Sequence, residues 1–212
     1  MGGGTVTLAW FVERFSGVDP SALGLDLSAE QVLELAAAQL PPGAEGLLAL
    51  PYWTGALTPY WDHDARGVLL GLTGVHGKSH VYRALLEGIA FEQRFLTSGA
   101  EQALGVPLED VTVLGGGSRS RVWCQIIADV MQRRVSVVRQ PESTCLGAGM
   151  LAAAAVGIHP SIPVAAEAMS GTSAAFEPDP VTASTYDRLY DVYRDIYPST
   201  RELFVRLAEA TR

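Results

Sequence analysis

The chain has 212 residues, 48% of them hydrophobic, enough to enclose one substantial core and too apolar for a disordered tail. Its 15 basic and 23 acidic side chains leave a net charge of −8, which excludes a general field for nucleic acid or anionic lipid, so any phosphate must be held locally. Cys124 and Cys145 lack the spacing of a metal or redox motif and read as free thiols of a reducing cytoplasm, while the longest apolar run, Cys145 to Ile158, is too short to cross a bilayer.

From Val6 to Leu40 apolar residues recur at helical spacing, first Leu8, Phe11, Val12 and Phe15, then Val32, Leu33, Ala36 and Leu40 behind a Ser28 cap. Pro41, Pro42 and Gly43 end this helical entry. Gly46 to Pro51 reads as a buried strand, an aromatic loop follows from Tyr52 to Trp61, and Val68 to Leu72 forms the next strand. The spacing of Val81, Leu85, Ile89, Leu96, Ala100 and Ala103 predicts a long amphipathic helix over Ser79 to Leu104, stopped by Gly105 and Pro107. A strand at Val111 to Leu114 then runs into Gly115, Gly116 and Gly117. A helix from about Arg119 to Met131 comes next, with Val122, Ile126 and Val130 on one face. Val135 to Val138 is another strand, Ser143 caps a helix through Val156, and Pro160 and Pro163 mark a link. The last helical region covers Thr182 to Ala210 and breaks at Pro198. Alternating strands and helices in the central part predict an α/β sheet with helices on its faces.

Chemistry is expected first at Gly115 to Ser118. Glycines at the end of a strand let a ligand approach the backbone, the next helix offers unpaired amides, and ligands of open α/β sheets sit beyond the carboxyl ends of strands. The run matches neither the Walker pattern nor the full dinucleotide fingerprint, so by itself it is equally a tight turn. Gly147, Ala148 and Gly149 open another helix, where close helix packing is the favoured explanation, and Glu142 just before it suits the positive end of a helix dipole. Asp62, His63 and Asp64 carry ligand chemistry, but adjacent residues seldom converge on one ion. His76 and His80 lack the glutamate of a zinc-peptidase motif and read as a solvated helix entry. Tyr186, Leu189, Tyr190, Tyr193, Ile196 and Tyr197 form an aromatic stripe expected to be packing surface.

Several of these segments, taken together, resemble the FGGY carbohydrate kinases. Gly67 to Leu72, followed after seven residues by His80 and Val81 and then by Ala84 to Glu87, is similar to that family's C-terminal signature. Leu50 to Trp53 with Pro59 to Gly67 resembles the loop before it, Leu114 to Ser120 the adenosine motif, and Glu142 to Ala148 the later Glu and Gly-Ala helix. The resemblance implies the actin-like, ribonuclease-H-like ATPase fold, a mixed sheet flanked by helices, in which two such domains close over ATP, Mg2+ and a small polyol or sugar. Residues 1–212 would be the single C-terminal, nucleotide-binding domain, with 178–212 as a terminal helical segment.

By the same resemblance Gly115, Gly116 and Gly117 would pass beneath the adenosine, Ser118 would shape the turn, and Ser120 stands where relatives place a polar residue near the base. Gly4, ahead of Trp10, falls in a segment whose backbone approaches the phosphates. The family's aspartate base, sugar contacts and phosphate turns find no counterpart, so no catalytic or metal residue is assigned. The implied enzyme is a xylulokinase-like, ATP-dependent sugar kinase that is cytoplasmic, without nucleic-acid or membrane partners, and inactive without its N-terminal domain; a homodimer is open to it. The rival readings are a non-catalytic nucleotide-binding or self-association module and, further off, another actin-like ATPase.

Overall fold

The computed structural model describes residues 4–24, 26–140 and 142–211. The first helical stretch is two helices. α1 (Gly4–Arg14) buries Leu8 and Phe11, a 3₁₀ turn covers Ser21–Leu23, and α2 (Ala29–Ala38) buries Leu33 and Ala37. Ser28 starts α2 as its spacing predicts. Its hydroxyl accepts the Gln31 amide at 3.2 Å, and the Gln31 side chain accepts the Ser28 amide at 2.8 Å, so two otherwise orphaned donors are satisfied.

β1 (Leu48–Leu50) and β2 (Val68–Leu70) pair antiparallel and are shorter than the apolar runs that predict them. Between them Asp62 organises the aromatic loop, accepting the amides of Asp64 and Ala65 at 2.9 and 3.2 Å and the Tyr197 hydroxyl at 2.7 Å. α3 (Lys78–Leu104) follows the predicted span and stops at Gly105, whose φ of 70° suits a helix end.

The second sheet has the order β3 (Asp110–Val113), β4 (Arg134–Val138), β5 (Thr172–Phe176). β3 and β4 are parallel and joined through α4 (Arg121–Met131), whereas β5 returns antiparallel to β4. β5 was not expected, because Ser173, Ala174 and Ala175 carry little strand propensity and are held by pairing with β4. α5 (Ser143–Ala155) is not capped by Ser143. Glu142 occupies the cap position without a side-chain bond, and Ser143 Oγ donates instead to the Gln140 carbonyl at 3.1 Å. The expected proline link contains α6 (Ile162–Met169), with Pro163 in its first turn, where the missing N–H costs no helical bond.

α7 (Pro180–Ala210) also departs from expectation, running through Pro198 without a break. The buried Tyr193, Ile196 and Tyr197 before the proline and Phe204 beyond it hold both halves on the core, while Pro198 itself faces solvent. Packing of an apolar stripe thus outweighs one lost backbone bond.

α3 is the axis of the core: every residue from Tyr82 to Phe91 is buried, with α1, α2, β1, α4 and α7 packed around it. β1 crosses so closely that a Cβ on Gly88 would lie 2.1 Å from the Ala49 carbonyl oxygen. Arg83 and Glu87 are buried on this axis and paired at 2.8 Å. Burial pushes the Glu87 carboxyl up, against the lowering effect of Arg83, of the Gly43 amide at 3.1 Å and of the Tyr186 hydroxyl at 3.0 Å. Arg83 completes its own bonding by donating to the Ala37 carbonyl at 2.9 Å. The tyrosine stripe of α7 is packing surface, as its spacing predicts, and its hydroxyls also reach acids on α3: Tyr193 donates to Glu92 at 2.6 Å.

Candidate functional site

The candidate site begins where β3 ends. Gly115 has φ 77° and ψ −160°, a conformation that side chains avoid, and Gly116–Arg119 then form a single 3₁₀ turn. α4 therefore starts two residues later than the sequence implies, with Ser120 as its cap: Ser120 Oγ accepts the Trp123 amide at 2.9 Å. The same hydroxyl donates to the Glu34 carboxylate of α2. Ser120 is thus part of the frame of the turn. Ser118 is buried, and its hydroxyl donates to the Gly115 carbonyl at 2.7 Å, closing the turn from inside.

The three glycines are not equivalent. A Cβ at Gly115 or Gly116 would meet nothing within 4 Å, so the backbone there is open to a flat ligand. A Cβ at Gly117 would come within 2.6 Å of the Trp123 ring, which fills the space on that side. Trp123 is itself buried and anchored by its indole N–H to the Leu86 carbonyl at 3.2 Å. Cys124 lies beside it with Sγ 3.9 Å from the Ser118 carbonyl oxygen, and burial raises its thiol pKa to about 11. The turn is therefore an open surface on a packed bracket of Ser118, Ser120, Trp123 and Cys124.

The head of α5 joins this surface. Arg119 reaches across to Glu142 at 3.5 Å, an exposed pair worth at most about 1 kcal/mol that nonetheless shows the two segments to be neighbours. Close packing, the explanation the sequence favours, requires neither glycine: a Cβ at Gly149 would make an ordinary contact with Met169 of α6 at 3.8 Å, and at Gly147 nothing lies within 4 Å. Gly4 opens α1, an element packed on α3, and Gly2 and Gly3 lie outside the described residues.

Sequence reasoning missed Glu34, Trp123 and Cys124 as supports of the turn. Trp123 and Cys124 stand three and four residues after Ser120, a spacing that returns side chains toward a helix start, so their signal was present. Glu34 comes from α2, and its approach is set by tertiary packing alone. Among the described residues no group of three or more His, Cys, Asp or Glu gathers as a metal cluster. Two acids of the chain are engaged in structure: Asp62 holds the aromatic loop, and Asp129 accepts Gln125 at 2.8 Å and the Asp179 amide at 2.9 Å. No helix among the described residues is long and apolar enough to cross a membrane.

Residues 5–156 match the family described as "FGGY family of carbohydrate kinases, C-terminal domain". The chain is 34% identical over 197 residues to a xylulose kinase of Bacillus subtilis, covering 93% of this chain and 38% of that protein. It is 30% identical over 210 residues to a gluconokinase of Bacillus licheniformis, covering 99% and 41%. The crystal structure of a xylulose kinase from Rhodospirillum rubrum superposes with a TM-score of 0.78 at 32% identity, over 94% of this chain and 38% of that one. The chain therefore spans about two fifths of the length of these relatives, and its mixed sheet flanked by helices is their actin-like ATPase fold. It belongs to the FGGY family of carbohydrate kinases, within the stretch described as their C-terminal domain.

Proposed function

We propose that the chain is the nucleotide-holding part of an ATP-dependent, xylulokinase-like sugar kinase and that it does not turn over alone. The open, internally braced glycine turn at the carboxyl end of β3, in a chain of this family, carries the proposal. Its open backbone fits a purine nucleoside: the ring would lie on Gly115 and Gly116, while Trp123 and Ser118 hold the turn rigid from the other side. Ser120 supports this surface rather than reading the base, since its hydroxyl is taken by the Trp123 amide and Glu34.

Phosphoryl transfer needs an acceptor hydroxyl placed in line, a residue to take its proton, and neutralisation of phosphate charge. The chain offers the nucleotide platform and leaves the first two to the remaining three fifths of the kinase, where the sugar would bind. Mg2+ would accompany the nucleotide at the junction with that part, supplying charge neutralisation. α5 supports such a junction. It is apolar on every side, as helices enclosed by protein are, yet its Leu151 is 56% exposed and Val156, at its C-terminal cap, 74%. β3 likewise pairs on one edge only among the described residues.

The same exposed surface favours a second reading, a self-associating module without catalysis. Sugar-dependent ADP formation decides between them. The chain alone should give none and should gain turnover when the preceding part of a xylulose kinase relative is supplied. Turnover by the isolated chain would refute the division of labour, and a stable oligomer that gains no activity from the added part would favour the module.

A further inference from the structure

A second cavity lies away from the glycine turn. Glu101, near the end of α3, pairs with Arg133 at 2.7 Å and accepts the Leu108 amide at 2.7 Å, so the last turns of α3 sit where β4 and β3 begin. The glycine turn sits where β3 finishes. On the flank of these α3 turns, between α3, α7 and the loop holding Thr58 and Pro59, opens a cavity of about 630 Å³. That is within the range that holds small molecules.

Its walls have two characters. Pro59, Phe95 and Tyr190 present apolar and aromatic surface, and the Phe95 ring is fixed by stacking on Tyr60 with centroids 5.9 Å apart and planes 14° from parallel. Gly99 leaves room between them, since a Cβ there would meet nothing within 4 Å. Arg194 and Gln102 supply the polar side. Arg194 lies 5.9 Å from the Tyr190 ring centroid and has no carboxylate partner among the described residues, whereas neighbouring Arg94 is matched by Asp187 at 2.7 Å. Of the acids around it, Glu92 is bonded by the hydroxyls of Tyr52 and Tyr193, while Asp191 and Asp195 of α7 neither line the cavity nor form an ion pair with Arg194. The uncompensated charge of the cavity is therefore positive.

We propose that this cavity binds a small organic anion, a carboxylate or phosphate monoester on a flat apolar body, with Arg194 taking the anionic group and Phe95 and Tyr190 the body. A guanidinium paired with such a group makes a charge-assisted hydrogen bond, so its loss should weaken binding about tenfold or more. The site requires nothing of the glycine turn, and it stands or falls apart from the kinase reading.

Phenyl phosphate is the probe, with phenol and inorganic phosphate as its two halves, titrated into the full chain and followed by backbone amide shifts. Phenyl phosphate should saturate at the amides from Ser98 to Gln102 and around Arg194, more tightly than either half. Gly99→Leu starts from a position where a Cβ meets no neighbour, puts an apolar side chain at the cavity wall and replaces a mid-helix glycine, so it should weaken binding at least tenfold with no loss of thermal stability. Arg194→Gln should weaken phenyl phosphate about tenfold and leave phenol unchanged. The proposal is overturned if nothing saturates, if both variants bind like the parent, if the shifts follow a doubling of mass in solution, or if Gly116→Leu abolishes binding while Gly99→Leu does not.

Discussion

At the residue scale, the glycine turn separates two roles that its sequence merges. Gly117 has a packing role, because its missing Cβ is the space taken by the Trp123 ring; Gly116 has none, because nothing lies over it. Gly117→Ala should therefore cost about 1–3 kcal/mol in urea unfolding, the usual range for overpacking. Gly116→Ala should stay within about 0.5 kcal/mol of the parent in the same experiment. Asp62 provides a pH signature. The Tyr197 hydroxyl, more than its backbone donors, holds this carboxyl below its usual value of 3.8. A lowered carboxyl contributes stability that is present above the ordinary value and is lost as pH falls through the folded-state value. Tyr197→Phe should thus destabilise by about 0.5–1.5 kcal/mol at neutral pH, and urea titrations of the two proteins should converge in acid.

At the element scale, α7 offers the test of packing against backbone rules. Pro198 removes one helical bond from an otherwise continuous helix and clashes with the preceding turn, at a cost of about 3 kcal/mol in an unconstrained helix. Pro198→Ala should raise the melting temperature, by an amount that reports how far the tyrosine stripe has already absorbed that strain. What was legible in the sequence divides along the same line. α3 was readable from end to end because its periodicity is long and Gly105 marks its stop. β3, the glycine turn and α4 were readable because strand, glycines and amphipathic helix follow one another without interruption. β5 was not, since Ser and Ala disfavour a strand and only pairing with β4 defines it; α6 does carry helix signals, Ser161 at its cap position, Pro163 in its first turn and three alanines, which the reading of Pro160 and Pro163 as a link passed over. Tertiary packing hid one support of the site and one pairing of the core. Glu34 comes from an element 86 residues before Ser120, and the Glu87–Tyr186 contact spans 99 residues. Local pattern carries no information about either.

For the whole molecule, the distribution of exposed apolar surface matters most. The core around α3 is closed, and the described side chains leave no buried polar atom without a partner, so this part is a finished packing unit. The sheet edge at β3 and the α5–α6 pair are unfinished by comparison, and they flank the open glycine turn. On the proposed reading, a chain arranged in this way would hold a nucleotide on one surface and would need further protein to enclose it. The direct measurement is an ADP titration of the chain read amide by amide, repeated on Gly116→Leu. The account predicts saturable shifts at Gly115, Gly116, Gly117 and Ser118 that the substitution removes while the fold persists. Amides of the turn that stay in place while ADP saturates another surface, or a titration that Gly116→Leu leaves unchanged, would contradict it.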